Sequence, residues 1–157
     1  LSTYSFSVVG GGAKFQIGPS VNSSQQVGFG IQSVASSHLG DETLGKPGTP
    51  DRAVDQLLRC SGQLVEFHTA VCVAGPADEP ELFHTDTTQV RFRTLNRHEA
   101  ERYVAADQPL DCAGSFKAER RGVLLLESIE SRDPSAIQGL PLIWLGRALL
   151  DRGVPLL

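Results

Sequence analysis

The stretch TPDRAVDQLLRCSGQLVEFHTAVCVAG, residues 49–75, decides the fold class, because its hydrophobic period changes once, from that of a helix to that of a strand. Its first half is punctuated as a helix. Thr49 can cap the free backbone N–H groups, Pro50 suits the first turn, Asp51 favours the positive end and Gly62 can close the other end. Ala53, Val54, Leu57 and Leu58 supply its buried face. The second half alternates Val65, Phe67, Thr69, Val71 and Val73, which reads as a strand with one face inward.

The same pattern continues downstream. TTQVRFRTL (87–95) is a strand with Val90 and Phe92 inward and Arg91 and Arg93 outward. NRHEAERYVAAD (96–107) is a helix capped by Asn96 with Glu99 three residues on, and Ala100, Tyr103 and Val104 share a face. GVLLLESIE (122–130) is a nearly continuous apolar run and predicts a central strand. GLPLIWLGRALLDRG (139–153) closes as a helix with Pro141 near its start and Gly153 past its end. The order helix, strand, strand, helix, strand, helix predicts an α/β domain around a mixed sheet with flanking helices.

The chain has 157 residues, enough for one domain with a real core, and its formal net charge of -4 argues against nucleic acid as a partner. Three cysteines, Cys60, Cys72 and Cys112, have no CxxC spacing, so they read as small buried thiols rather than a disulfide framework or zinc site. No run of about 18 apolar residues appears, so no membrane span is expected, and without a secretory signal pattern the expected compartment is the cytoplasm.

Residues 1–40 differ in character. They hold a single charged side chain, Lys14, and are rich in Ser, Gly and Gln. SFSVV (5–9) and AKFQIG (13–18) can be short strands, while GGGAK lacks the GxxxxGK[ST] spacing of a phosphate-binding loop. The composition break places a boundary near residue 37, between a low-charge segment (1–37) and the remainder (38–157). A truncated gene, or a different reading frame across residues 1 to about 35, is one economical expectation for such a break.

Three phrases carry a more specific signal: LGKPGTPDRAVDQLLRCSGQLVEFHTAV (44–71), CAGSFKAERRG (112–122) and ESRDPSAIQGLPLIWL (130–145). In this order and separation they resemble the Maf, or septum-formation-inhibitor-like, nucleotide pyrophosphatases over residues 38–157. The CAGSFK..E form is similar to the branch acting on 7-methyl-GTP. The resemblance implies a Maf/inosine-triphosphatase-like fold with a cleft between two lobes, incomplete here at its N-terminus. It implies hydrolysis of a nucleoside triphosphate between the α and β phosphates, releasing pyrophosphate, with Mg²⁺ or Mn²⁺ as cofactor.

The resemblance puts Lys46, in the GKP turn, at the phosphates, and positive charge there suits a dense anion. Lys117 is a second candidate cation for the same substrate. Glu119 falls where other branches carry a glutamine. A carboxylate can accept from the N–H edge of a guanine-type base, and 7-methylguanine is also cationic, so Glu119 is a candidate specificity residue. Asp133 reads as a cap for the turn that precedes the last helix, and Arg132 as a phosphate contact or a partner of Glu130.

The family's arginine-containing phosphate turn has no counterpart in residues 1–40. Aligned backward from GKP, FGIQSVA (29–35) puts Gln32 at the position of the general-base aspartate and Ser33 at its specificity-linked neighbour. An amide cannot serve as a general base, so turnover is expected to be slow, and a non-catalytic nucleotide-binding chain is the alternative reading. A third is a folded fragment serving as an interaction surface. Lacking cover for one side of the sheet, the chain is expected to self-associate or form a homodimer. His38, His68, His84 and His98 lack metal-ligand spacing, and Ser115 is not in a GxSxG turn.

Overall fold

The computed structural model describes the backbone of residues 6–8, 13–16, 26–75 and 80–156, and the side chains of 35–75 and 80–156. Helix α1 (Pro50–Cys60) starts where its punctuation predicts, with Thr49 Oγ1 accepting from Arg52 N at 3.5 Å and Pro50 in the first turn. Gly62, at φ +69°, ends it in the left-handed region, where a residue without Cβ is unstrained. Strand β5 (Leu64–Ala74) follows, and Val65, Phe67, Thr69, Val71 and Val73 are all buried. Strand β6 (Leu82–Phe92) buries Val90 and Phe92 while Arg91 stays in solvent. Helix α2 (Arg97–Asp107) opens with a complete capping box: Glu99 N donates to Asn96 Oδ1 at 2.9 Å and Asn96 N to Glu99 Oε2 at 3.0 Å. The last helix, α3, spans Leu142–Asp151 and is followed by Gly153 at φ +76°.

Further strands are β1 (Phe6–Val8), β2 (Ala13–Gln16), β3 (Gln26–Leu39), β4 (Glu42–Leu44) and β7 (Leu126–Glu130). Together with β5 and β6 they form one sheet in the order β1-β2-β3-β5-β6-β7, with β4 on β3. The α/β class holds, but the sheet is not mixed: every pairing among the described residues is antiparallel. The β5–β6 connection, residues 75–81, is too short for the crossover that a parallel pair needs, so the chain reverses directly. Strand β3 runs without a break across residue 37 and pairs with β5 from Gly30↔Ala74 to His38↔Glu66.

The helices cover one face of this sheet in two groups. One group joins Leu57 of α1 and Tyr103 of α2 to Val65, Phe67, Val90, Phe92 and Phe116; the other joins Leu145 and Leu149 of α3 to Val71, Val73 and Val154. Thr69 sits between the two groups and donates from Oγ1 to Ala136 O at 2.8 Å. The expectation of a central strand at GVLLLESIE is corrected. Residues Arg121–Leu125 form a 3₁₀ turn, and among the described residues β7 pairs only with β6, at the sheet's edge. The apolar run misled because its side chains do not share one burial: Leu125 is 3% exposed, whereas Val123 and Leu124 are 48% and 67% exposed. No helix of the described residues is long and apolar enough to cross a membrane.

Candidate nucleotide cleft

Beside the core group of α1 and α2 lies a cleft of about 430 Å³, lined by Ala35, Lys46, Phe67, Asp111, Cys112, Ala113, Phe116, Glu119, Ile137, Gln138 and Gly139. Each of the three phrases singled out in the sequence contributes to it. Its size falls in the range typical of small-molecule sites.

The first wall is the turn between β4 and α1. Pro47 is buried and Gly48 adopts φ +74°, which leaves Lys46 exposed at the crest. Gly48 N donates to Leu110 O at 3.0 Å, and Gln56 Nε2 donates to Gly45 O at 3.1 Å. Lys46 is therefore carried on a turn fixed at both ends.

The second wall, residues 110–122, is held from below. Gly114 has φ +70°, and a Cβ there would stand 3.2 Å from both Phe67 Cζ and Ser37 Oγ. Ser115 also has positive φ, +56°, and its Oγ donates to Gln56 Oε1. Phe116 is buried against Phe67 and Phe92, with ring centroids 5.7 and 5.8 Å away. Lys117 N donates to the Tyr103 hydroxyl at 2.9 Å. The buried Asp107 accepts from Arg121 N at 2.9 Å and Arg121 Nη1 at 3.2 Å. Burial pushes the Tyr103 phenol up to about 12, against the Lys117 N–H that acts to lower it.

Lys46 and Glu119 thus face one cleft, both exposed. Lys117 is not among the cleft's lining residues. Its Nζ donates to Asp107 O at 3.3 Å and Gln108 O at 3.2 Å, and lies 3.5 Å from Asp111 Oδ1. A cation at the end of α2 satisfies orphan carbonyls and suits the negative end of the helix dipole. The backbones of Gln32 and Ser33 pair with Cys72 and Val71 in β3–β5, and their side chains lie outside the described residues. Arg132 lines a separate groove with Asp86, Glu130 and Ser131.

Cys112 differs from the expectation of a fully buried thiol: it is half-buried and lines the cleft. Burial raises its pKa, and the neighbouring Asp111 carboxylate adds to that shift, which disfavours the thiolate that a nucleophile needs. Asp111 moves the other way. Its own backbone N–H, the Cys112 thiol and the Lys117 ammonium hold its carboxyl below the usual range. Among the described residues no group of three or more His, Cys, Asp or Glu side chains is placed to hold a metal ion.

The third segment is organised by Asp133, which is buried. Oδ2 accepts from Ile143 N at 2.7 Å and Trp144 N at 3.2 Å, and Oδ1 accepts from Ser135 N at 3.2 Å and from Ser135 Oγ. Burial acts to raise this carboxyl, but the donated hydrogen bonds outweigh it and hold the pKa below its ordinary value. Asp133 is thus the cap of α3, and it fixes the turn that brings Ile137–Gly139 to the cleft.

Gln56, Tyr103 and Asp107 escaped sequence reasoning. Gln56 had a readable signal: it is a polar residue at helical spacing within the buried set Ala53, Leu57 and Cys60. Tyr103 read as core, and its hydroxyl's target lies 14 positions away.

Comparison with known proteins gives the same direction. The chain is 49% identical over 111 residues to a 7-methyl-GTP pyrophosphatase of Saccharophagus degradans, covering 71% of this chain and 56% of that protein. It is 50% identical over 115 residues to a 7-methyl-GTP pyrophosphatase of Xanthomonas axonopodis pv. citri, covering 73% and 60%. A third such protein, from Alcanivorax borkumensis, is 45% identical over 118 residues, covering 75% and 60%. The chain therefore spans somewhat under two thirds of the length of these relatives. The family model described as Maf-like protein matches residues 23–152, and the chain belongs to that family.

Proposed function

We propose that this chain binds a nucleoside triphosphate of the 7-methyl-GTP class in the cleft, as the recognition portion of a pyrophosphatase that splits the α–β phosphate bond. The observation that supports this most is the convergence of the three sequence phrases on one cleft with a cation at one wall and a carboxylate at another. Lys46 offers positive charge to the phosphates. Glu119 accepts hydrogen bonds from the base edge and complements the charge of a methylated guanine. Phe67 and Phe116 give the floor an apolar patch against which the ligand packs. Lys117 acts on the substrate indirectly, by holding the loop that carries Glu119 to the end of α2.

The donors fit a divalent cation that arrives with the triphosphate. Mg²⁺ is commonly held by one or two carboxylates plus substrate phosphates, and with Glu119 at the base edge the cleft carboxylate that would hold it is Asp111. Such an ion would supply Lewis-acid polarisation of a phosphoryl oxygen. The residues of the chain bind the anion, orient the base and keep one side of the site dry.

Binding without turnover is the second reading. It is favoured by the amide of Gln32 in the sequence position of the general base and by the depressed pKa of Asp111, which makes it a weak base. Calorimetry with 7-methyl-GTP and Mg²⁺, paired with a pyrophosphate-release assay, tests both. Release of pyrophosphate supports the enzyme, binding without release supports the second reading, and no heat of binding removes both.

A further inference from the structure

Two charged residues of the cleft, Lys46 and Glu119, stand on separate segments, and one side chain touches both segments. Gln56 donates from Nε2 to Gly45 O at 3.1 Å, directly before Lys46, and accepts at Oε1 from the Ser115 hydroxyl, in the loop that leads to Glu119. A primary amide suits this place because one planar head offers a donor and an acceptor; a carboxylate lacks the donor and an ammonium lacks the acceptor. The bond from Gly48 N to Leu110 O, 3.0 Å, ties the same two segments from the other side. The contacts close a frame: Gly45 to Gly48 along the chain, across to Leu110, along to Ser115, and back through Gln56. Ser115 holds φ +56°, which costs energy for a residue with a Cβ and persists where surrounding contacts impose it.

We propose that Gln56 is a positioning residue that fixes the Lys46 turn and the Glu119 loop in one register, so that the cleft selects a nucleotide by the spacing of its base and its phosphates. This rests on the nucleotide reading above. Gln56 touches no ligand in this scheme, and its loss relaxes selectivity through both loops at once.

The full chain and the variants Gln56→Glu, Gln56→Leu and Ser115→Ala test it. Gln56→Glu keeps the acceptor for Ser115 and loses the donor to Gly45, Ser115→Ala does the reverse, and Gln56→Leu loses both. Hydrogen exchange of residues 45–48 and 113–119 is read without any nucleotide. Ser115→Ala is expected to speed exchange at residues 45–48, a segment Ser115 does not touch, by about fivefold. Calorimetry with 7-methyl-GTP and with GTP, each with Mg²⁺, then reads the affinity ratio. The ratio is expected to fall by about fivefold in Gln56→Leu.

Unchanged exchange at 45–48 in Ser115→Ala and Gln56→Leu overturns the link, whatever the nucleotide data say. Equal weakening of both nucleotides, with the ratio kept, reduces Gln56 to a structural residue and overturns the positioning role. A wild-type chain that binds neither nucleotide overturns the selectivity claim through the reading on which it rests, and the exchange data separate that failure from a missing link.

Discussion

A Cβ on Gly122 would stand 2.2 Å from the carbonyl oxygen of Lys117, and 2.7 Å from two ring carbons of Phe116. The loop of residues 110–122 closes on itself at this point, with backbone against backbone, and no flexible side chain can yield. Gly122→Ala is expected to open the loop and cost about 1–3 kcal/mol of stability, as overpacking does. Chemical denaturation checks it, and a variant with wild-type stability would show that the loop can be remade without this contact.

Asp133 gives the fold an acid-sensitive joint. Its folded pKa lies below the value in the unfolded chain, about 3.9, so its contribution is complete above that value and drains away as pH falls through the folded pKa. Asp133→Asn is expected to lose stability at pH 7, and to lose less than wild type does between pH 5 and pH 2. Melting curves across that range measure both. A parallel pH dependence in the two proteins would remove Asp133 as the cause.

The two lysines are expected to separate cleanly. Lys46 is exposed on its turn, so Lys46→Ala leaves the melting temperature nearly unchanged and weakens nucleotide binding by about 10- to 100-fold, the worth of a hydrogen bond to a charged group. Lys117→Met strips two carbonyls and a carboxylate of their partner, so it lowers the melting temperature. Equal effects of the two substitutions on binding and stability would contradict this division.

Glu119→Gln keeps the size of the side chain and removes its charge. It is expected to lower affinity for 7-methyl-GTP more than for GTP, because only the former carries a cationic base. Competition binding of the two nucleotides measures the shift. An unchanged ratio would leave Glu119 as a solvated turn residue.

Helix α3 exposes Leu142, Ile143 and Leu150 at 56%, 65% and 55%. Apolar side chains clustered this way on one helix favour burial against another surface. Sedimentation is expected to show mass rising with concentration, and the pair Ile143→Lys with Leu150→Glu is expected to suppress it. A single monomeric species at all concentrations would count against the association.

Much of this architecture was determined by sequence alone. Thr49, Pro50 and Gly62 bound α1, Asn96 and Glu99 open α2, and the alternation from Val65 to Val73 sets the inward face of β5. These signals are local: a cap and its target lie within one turn, and a strand's faces follow from its own period. The bonds of Asp133 from Ser135 belong to the same class, whereas those from Ile143 and Trp144 cross a loop and are not local.

Only the tertiary structure decided the rest. Strand direction depends on which neighbour each strand meets, so the antiparallel sheet and the edge place of β7 could not be read from an apolar run. The side chain of Lys117 finds carbonyls on α2, and Gln56 finds Gly45 and Ser115, because folding brings segments far apart in the chain to within hydrogen-bond reach. The residue types stated what each side chain was able to bind. The packing of loops on the sheet chose which partner it met, since an exposed cation and a helix-capping cation have the same sequence and differ only in their surroundings.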